Sequence, residues 1–103
     1  MTQEQFTEIT EWQNATFGQA TALSKVAHLA QEVIELNDAL HKEDEPNVGP
    51  EFADCFILLF GAAASHGMDY NDILNEIEWK MEINKQRKWG TPDANGVVNH
   101  IKE

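Results

Sequence analysis

The sequence predicts an all-α fold, a helical bundle of about four helices per chain that is completed by homo-oligomerisation. Apolar residues recur at spacings of three and four along one segment, at Val26, Leu29, Val33, Leu36 and Leu40, which is the period of an amphipathic helix. β-branched residues never alternate with polar residues over the length of a strand. The 103 residues leave room for a single domain, 1–103, with 90–103 as a largely irregular extension.

Capping residues, glycines and prolines indicate where the helices begin and end. Thr2 and Gln5 have the spacing of a capping box, and Gly18 is expected to end the first segment. Pro50 suits the first position of the third helix, and Asp69 can cap the fourth. The expected helices cover about 2–14, 21–42, 51–66 and 69–88.

The third predicted helix is apolar on every side between Cys55 and Ala64. Such a helix has to be covered all round, and a chain this short has little material with which to cover it. A single cysteine, Cys55, cannot form an internal disulfide. We therefore expect a homodimer or a homotetramer, in which a second copy completes a four-helix bundle.

The charge of the chain argues against one class of partner. Lys and Arg number 7 and Asp and Glu 18, which gives a formal net charge of −11, and such a field repels DNA and RNA. No signal peptide is recognisable, and the longest apolar run, 55–64, is shorter than the roughly 20 residues that a membrane span needs. We expect a soluble, cytoplasmic protein without nucleic-acid or membrane partners.

Two pairs of carboxylates have the spacing i, i+3. Glu32 and Glu35 lie on the second predicted helix, and Glu51 and Asp54 begin the third, so each pair shares one helix face. Both pairs border apolar stripes, and a short loop makes the two helices antiparallel neighbours. Carboxylate-only sites suit Mg²⁺, with Mn²⁺ as an alternative. The competing interpretation is a pair of solvated acidic faces.

Polar residues continue the apolar stripe of the fourth predicted helix. Lys80, Asn84 and Arg87 follow Ile73 on the same side, where a phosphate chain bridged to metals could bind. Alternatively, the two cations pair with surface acids such as Glu76.

Four residues near the first two helices are further candidates for substrate contacts. His28 lies one turn before Glu32 and either hydrogen-bonds a ligand carboxylate or fills a polar gap at the edge of the core. Trp12 and Phe17, with Asn14 between them, either contact the base or deoxyribose of a nucleotide or pack against the end of the bundle.

The spacing of these motifs resembles a known family. Glu32-x-x-Glu35 followed by Glu51-x-x-Asp54 is similar to the E-x-x-E … E-x-x-D signature of the all-α, MazG-like NTP pyrophosphohydrolases. The segments HLAQEVIELNDAL and EFADCFILLFGAAASHGMD resemble the two central helices of that family. The segment from Lys80 to Trp89, K-x-x-x-N-x-x-R-x-W, with the following GTPDANG, resembles its small phage and bacterial branch of dATP/dGTP diphosphohydrolases.

The resemblance implies a Mg²⁺-dependent enzyme that cleaves a nucleoside triphosphate, with a purine dNTP as the expected substrate, to the monophosphate and pyrophosphate. It implies that the metal is held by Glu32, Glu35, Glu51 and Asp54. It also implies that the phosphates or the sugar are bound by Lys80, Asn84 and Arg87. Either Glu32 or Glu35 is expected to activate the attacking water. The alternatives are a related helical pyrophosphohydrolase acting on phosphoribosyl-ATP and a non-enzymatic acidic interaction module.

Overall fold

The computed structural model describes residues 1–18 and 20–102, and within these ranges it contains four α-helices and no strand. The helices are α1 (Gln3–Phe17), α2 (Ala22–His41), α3 (Glu45–Ser65) and α4 (Tyr70–Gln86). The predicted all-α class is confirmed. Contacts divide the chain into two compact units, Met1–Asn71 and Asp72–Glu103, and the prediction of a single domain stays a prediction.

The first two helices both begin with side-chain caps, and the sequence predicts the first of these. The hydroxyl of Thr2 accepts from the backbone N–H of Gln5 at 3.2 Å, and the Gln5 side chain accepts from the Thr2 N–H at 2.9 Å. Helix α1 continues one turn beyond the predicted end and stops at Gly18, whose φ is +64°. The hydroxyl of Thr21 caps α2 by accepting from the Ser24 N–H at 3.1 Å.

Helix α3 begins at Glu45, so the predicted start after Pro50 was wrong. Pro46 occupies the first turn, where an N–H has no acceptor within the helix, so a proline there breaks no hydrogen bond. The carbonyl of Asp44 accepts from the N–H groups of Asn47 and Val48 at 2.9 and 3.2 Å. Pro50 lies inside the helix and forgoes one backbone hydrogen bond.

Helices α2 and α3 are antiparallel neighbours, as predicted. The Lys25 ammonium at the start of α2 donates to the Ser65 hydroxyl at the end of α3, at 2.7 Å. At the other end of the pair, carboxylates of α2 approach Glu51 near the start of α3. Helix α1 packs on α3, where the rings of Phe6 and Phe60 meet edge to face at 6.3 Å between centroids.

The apolar stripe of α2 is only partly covered within the chain. Leu29 and Leu36 are half-buried, whereas Val26, Val33 and Leu40 are exposed by 47 to 49%. The buried positions on this helix are Lys25 and Ala39. The buried side of α2 is therefore not centred on the predicted apolar stripe but lies closer to the side that bears Glu32. Part of the apolar stripe remains exposed.

Helix α3 is long and apolar enough to cross a membrane, because it starts earlier than predicted. It has 21 residues, and the mean hydropathy of its most apolar window is 1.3. Length and composition alone are weak indicators of a span, because a core helix meets the same criteria. Glu51 and Asp54 lie within α3, and the helix packs against both α1 and α2, which favours a helix of a soluble bundle.

The second unit contains most of α4 and a tail that is largely irregular, as predicted. Helix α4 ends at Gln86, and the indole N–H of Trp89 donates to the carbonyl of Asn84 at 2.9 Å. An isolated antiparallel bridge joins Trp89 to His100, and the Ile101 N–H donates to the Lys88 carbonyl at 2.7 Å. These bonds fold the tail back on the end of α4.

Candidate active site

Three carboxylates converge from two helices. Glu32 and Glu35 lie one turn apart on α2, and Glu51 lies on the first half of α3. One carboxylate oxygen from each residue lies within 4.8 Å of those of the other two. Glu32 and Glu51 are half-buried, whereas Glu35 is exposed. The predicted meeting of acidic residues across the α2–α3 seam therefore occurs in the structure.

The electrostatic consequence is clearest at Glu32, whose pKa rises from 4.5 to about 7. The largest cause is a hydrogen bond with the Glu35 carboxyl, followed by partial burial and by the charges of Glu35, Asp54 and Glu51. Burial and like charges both disfavour an ionised carboxylate. Without a cation, the pair therefore retains a proton up to about neutral pH.

The cluster fits a hard divalent cation. Oxygen Oε2 of Glu51 is buried and has no hydrogen-bond partner within the part of the protein that the structure describes, and such an atom is costly unless something satisfies it. An all-oxygen donor set matches Mg²⁺ and Mn²⁺. Asp54 lies outside this group of three, but its charge acts on Glu32. All four predicted acidic residues thus belong to one electrostatic cluster.

A cavity of about 220 Å³ adjoins the carboxylates. Its lining combines aromatic and aliphatic side chains with three polar residues, His28, Glu32 and Asp54. The lining residues are Trp12, Phe17, His28, Glu32, Asp54, Ile57 and Leu58. The volume is below the roughly 300–1,000 Å³ of complete ligand sites, so the cavity suits one portion of a larger ligand.

Aromatic contacts give this cavity a defined shape. The ring of Phe17 contacts Trp12 and His28 edge to face, with centroids 5.6 and 5.9 Å apart. Nitrogen Nε2 of His28 lies 3.5 Å from Oε1 of Glu32. His28 therefore connects the aromatic side to the carboxylate cluster, consistent with the predicted contact to an acidic ligand residue.

The other four predicted residues belong to α1 and to the second unit. Asn14 lines a different cavity with Thr21 and Ser65. Lys80 and Asn84 lie on α4 in the second unit, and Arg87 follows that helix and lines a cavity with three basic residues, Lys88, His100 and Lys102.

Sequence reasoning missed Ile57 and Leu58 as lining residues. Both follow Asp54 at i+3 and i+4, so the helical period places them on the same face as that carboxylate. It also missed the burial of Gln13 and Lys25, which are 0% and 3% exposed. No local pattern distinguishes these two from ordinary surface residues.

Comparison with known proteins identifies the chemistry. Residues 5–103 match the family described as dATP/dGTP pyrophosphohydrolase. The chain belongs to this family. The structure also resembles a solved cyanophage S-2L MazG-like pyrophosphohydrolase, bound to dGDP and three catalytic Mn²⁺ ions per active site, with a TM-score of 0.77 and 26% identity. The similarity covers 100% of this chain and 96% of that one. No curated protein matches the sequence.

The predicted family and enzyme class are therefore confirmed: the protein is a nucleotide pyrophosphohydrolase of the MazG-like, all-α type. A metal requirement agrees with the relative's ions and with the carboxylate cluster. The family assignment argues against the non-enzymatic acidic module.

The raised pKa of Glu32 predicts how the metal-free pyrophosphohydrolase responds to pH. Because the folded state holds this proton up to about pH 7 and the unfolded state releases it near 4.5, the free energy of unfolding should fall as pH rises through this interval. Urea unfolding in EDTA at several pH values measures the effect. Glu32→Gln, which cannot ionise, should flatten the dependence; an equally steep dependence in that variant would contradict the assignment.

Proposed function

We propose that this pyrophosphohydrolase converts purine deoxynucleoside triphosphates, dATP and dGTP, to the monophosphate and pyrophosphate with Mg²⁺, which Mn²⁺ can replace. The observation that carries the proposal is the convergence of three carboxylates from α2 and α3 within 4.8 Å beside a cavity with aromatic walls. The family description names both purine nucleotides, and the cyanophage relative binds dGDP.

Glu32, Glu35, Glu51 and Asp54 are the proposed metal ligands. The unpartnered Oε2 of Glu51 and the mutual repulsion expressed in the pKa of Glu32 both favour cation binding. Bound Mg²⁺ supplies charge neutralisation for the phosphates and lowers the pKa of a coordinated water. The protein's own contribution is to hold these oxygens on two rigid helices, so that little reorganisation accompanies binding.

The proposed reaction is an in-line displacement at the α-phosphorus. The oxygen of a water forms a bond to phosphorus, the bond from phosphorus to the bridging oxygen breaks, and pyrophosphate leaves with that electron pair. Glu32 or Glu35 takes the proton that the water loses. The hydrogen bond between these two carboxyl groups supports a role in proton transfer for the pair.

The aromatic cavity is the proposed site for the nucleobase and sugar. Trp12 and Phe17 offer apolar surfaces, and His28 links them to Glu32. Flat aromatic side chains suit a purine ring because offset stacking and edge contacts are both favourable. The small volume leaves the phosphates outside, toward the carboxylates. Asn14 stays in the proposal as a contact near the end of α1, although it lines another cavity.

Lys80, Asn84 and Arg87 are the proposed phosphate ligands. The chain has seven Lys and Arg residues against eighteen acids, so a cluster of cations is informative. Arg87 shares its cavity with Lys88, His100 and Lys102. A guanidinium group can donate to two phosphate oxygens at once, whereas an ammonium group acts on a phosphate as a point charge.

We propose that the enzyme is a homodimer, or a homotetramer built from such dimers. Four exposed apolar residues of α2 lie at spacings of three and seven positions, and so on one side of the helix, namely Leu23, Val26, Val33 and Leu40. On α3, Phe52, Phe56 and Leu59 are also exposed. Two neighbouring helices with apolar outer stripes form half of a four-helix bundle, and a second copy supplies the other half.

Membership of this enzyme family supports a soluble protein, and a cytoplasmic location remains a prediction. The net charge of −11 supports the expectation that nucleic acids are not partners.

A substrate panel tests the activity. With Mg²⁺ present, dATP and dGTP should release pyrophosphate with kcat/KM at least about tenfold above dCTP and dTTP, the low end of what pocket contacts contribute to discrimination. Chromatography that separates the monophosphate, pyrophosphate and orthophosphate measures the products and their rates of formation. Orthophosphate as the product, or faster hydrolysis of phosphoribosyl-ATP in the same panel, would contradict the proposal.

Substitution of the carboxylates tests the metal site. Glu35→Gln and Asp54→Asn should each lower kcat/KM at least about 100-fold, because losing even an outer partner of a metal ligand costs about 10–100-fold. Circular dichroism should show unchanged helix content. Glu8→Gln removes one charge from the exposed side of α1 and should leave activity unaltered. Full activity in both site variants would remove the metal assignment.

The proposed interface predicts a change of mass. Wild-type enzyme should elute with twice the 11.6 kDa of one chain, or four times, whereas Val33→Glu should be monomeric at micromolar concentration. An unpaired charge in the interface weakens association by about 3 kcal/mol or more, over 100-fold in dissociation constant. Ser24→Glu adds the same charge away from the stripe and should not change the mass. Light scattering decides between these outcomes.

A further inference from the structure

Two buried polar side chains meet a single glycine in the first unit. Among the residues that the structure describes, Gln13 and Lys25 are the buried polar or charged ones, at 0% and 3% exposure. Gln13 comes from α1 and Lys25 from α2, and both approach Gly61 on α3. The Lys25 ammonium lies 3.5 Å from the Gly61 carbonyl oxygen and 2.7 Å from the Ser65 hydroxyl.

The contact between Gln13 and Gly61 has no room for a side chain at position 61. A Cβ atom there would overlap the side-chain amide atoms of Gln13, far inside van der Waals contact. The amide nitrogen of Gln13 donates to the Ile57 carbonyl at 2.6 Å. The amide therefore lies across one turn of α3, in space that only a glycine leaves open.

This contact adjoins the aromatic cavity directly. Trp12, the neighbour of Gln13 on α1, and Ile57, whose carbonyl accepts the hydrogen bond from Gln13, both line the cavity. The hydrogen bond thus joins α1 next to one lining residue to the backbone of another lining residue on α3. The distance between Trp12 and Ile57 depends on it.

A contact that served only to pack α1 on α3 would not need a buried amide group. Oxygen Oε1 of Gln13 is buried and has no hydrogen-bond partner among residues 1–18 and 20–102, which lowers stability. An aliphatic residue of similar volume would avoid that loss. A hydrogen bond to a fixed carbonyl is directional, whereas aliphatic packing tolerates rotation and sliding. The arrangement therefore sacrifices some stability for a defined position of α1.

We infer that Gln13 and Gly61 are positioning residues that set the width of the aromatic cavity and thereby the affinity for the nucleobase. The inference rests on the proposed function, since it takes this cavity as the base site. Gln13 acts through Trp12 and Phe17 and does not contact the metal ligands. Its loss should therefore change nucleobase binding and leave cation binding intact.

Kinetics of Gln13→Met separate positioning from stability. This variant keeps the length of the side chain and removes the hydrogen bond. We expect KM for dATP and dGTP to rise roughly tenfold and the preference over dCTP and dTTP to shrink, because pocket contacts govern such discrimination. kcat and the Mn²⁺ dissociation constant, measured by electron paramagnetic resonance without nucleotide, should stay within about twofold. An unchanged KM with a lower Tm would make Gln13 merely structural and overturn the inference.

Gly61→Ala tests the same contact from α3. The added methyl group must displace the Gln13 amide and should raise KM in the same way. Gly49→Ala is the matched control on the same helix, because no described residue outside its own stretch of helix places an atom within 4 Å of its Cβ position. The double variant Gln13→Ala with Gly61→Ala should be more stable than Gly61→Ala alone, since the shortened side chain leaves room for the methyl. Additive losses of stability would contradict the close contact.

A readout without turnover keeps the test independent of the proposed function. Enzyme labelled with 5-fluorotryptophan should give separate ¹⁹F resonances for Trp12, Trp79 and Trp89, assigned with Trp12→Phe. In Gln13→Met the Trp12 resonance should shift or broaden, and the other two should not. If wild-type enzyme hydrolyses no dNTP, the proposed function fails, yet the ¹⁹F spectrum still decides positioning; an unmoved Trp12 resonance would overturn the inference.

Discussion

Repulsion among the carboxylates of α2 and α3 is the constraint on which the remaining structure depends. Two unit charges about 4 Å apart repel by roughly 4 kcal/mol at an effective dielectric of 20, a large share of the stability of a small domain. The protein reduces this cost by sharing a proton between Glu32 and Glu35, as the raised pKa of Glu32 indicates. A bound divalent cation offsets this repulsion, so cation binding and folding are coupled at this seam.

The two helices remain together because the opposite end of the pair is held by different chemistry. Lys25 lies seven residues before Glu32, about 10 Å along the helix, and it bonds α3 through the Ser65 hydroxyl. Small residues, Ala39 on α2 and Ala62 on α3, are buried and permit close approach. The pair is thus fixed at its Lys25 end and electrostatically strained at its Glu51 end, where the substrate's metal is expected to bind.

The sequence could predict the elements whose signals are local. The Thr2–Gln5 capping box, the i, i+3 acids and the helical period are short-range patterns, and the structure contains all three. The start of α3 was mispredicted because Pro46 and Pro50 both suit a first turn, and only the hydrogen bonds to Asp44 distinguish them. The contact between Gln13 and Gly61 joins residues 48 positions apart, and neither a glutamine nor a glycine indicates burial by itself. The roles of Lys80, Asn84 and Arg87 depend on a ligand and stay predictions.

Helix α2 can hold the metal and contact a second copy at the same time, because the residues proposed for these two roles lie on different sides of the helix. At about 100° per residue, Glu32 and Glu35 lie roughly 100–180° around the helix from Val26 and Val33, which are exposed. A second copy bound to the apolar face would therefore leave the carboxylates accessible. Association would also bury apolar surface on the helix that bears two of the repelling charges. Each Å² of apolar surface buried stabilises the assembly by about 25 cal/mol. In a chain this short, the stability needed to hold acids together would then come in part from a neighbouring copy.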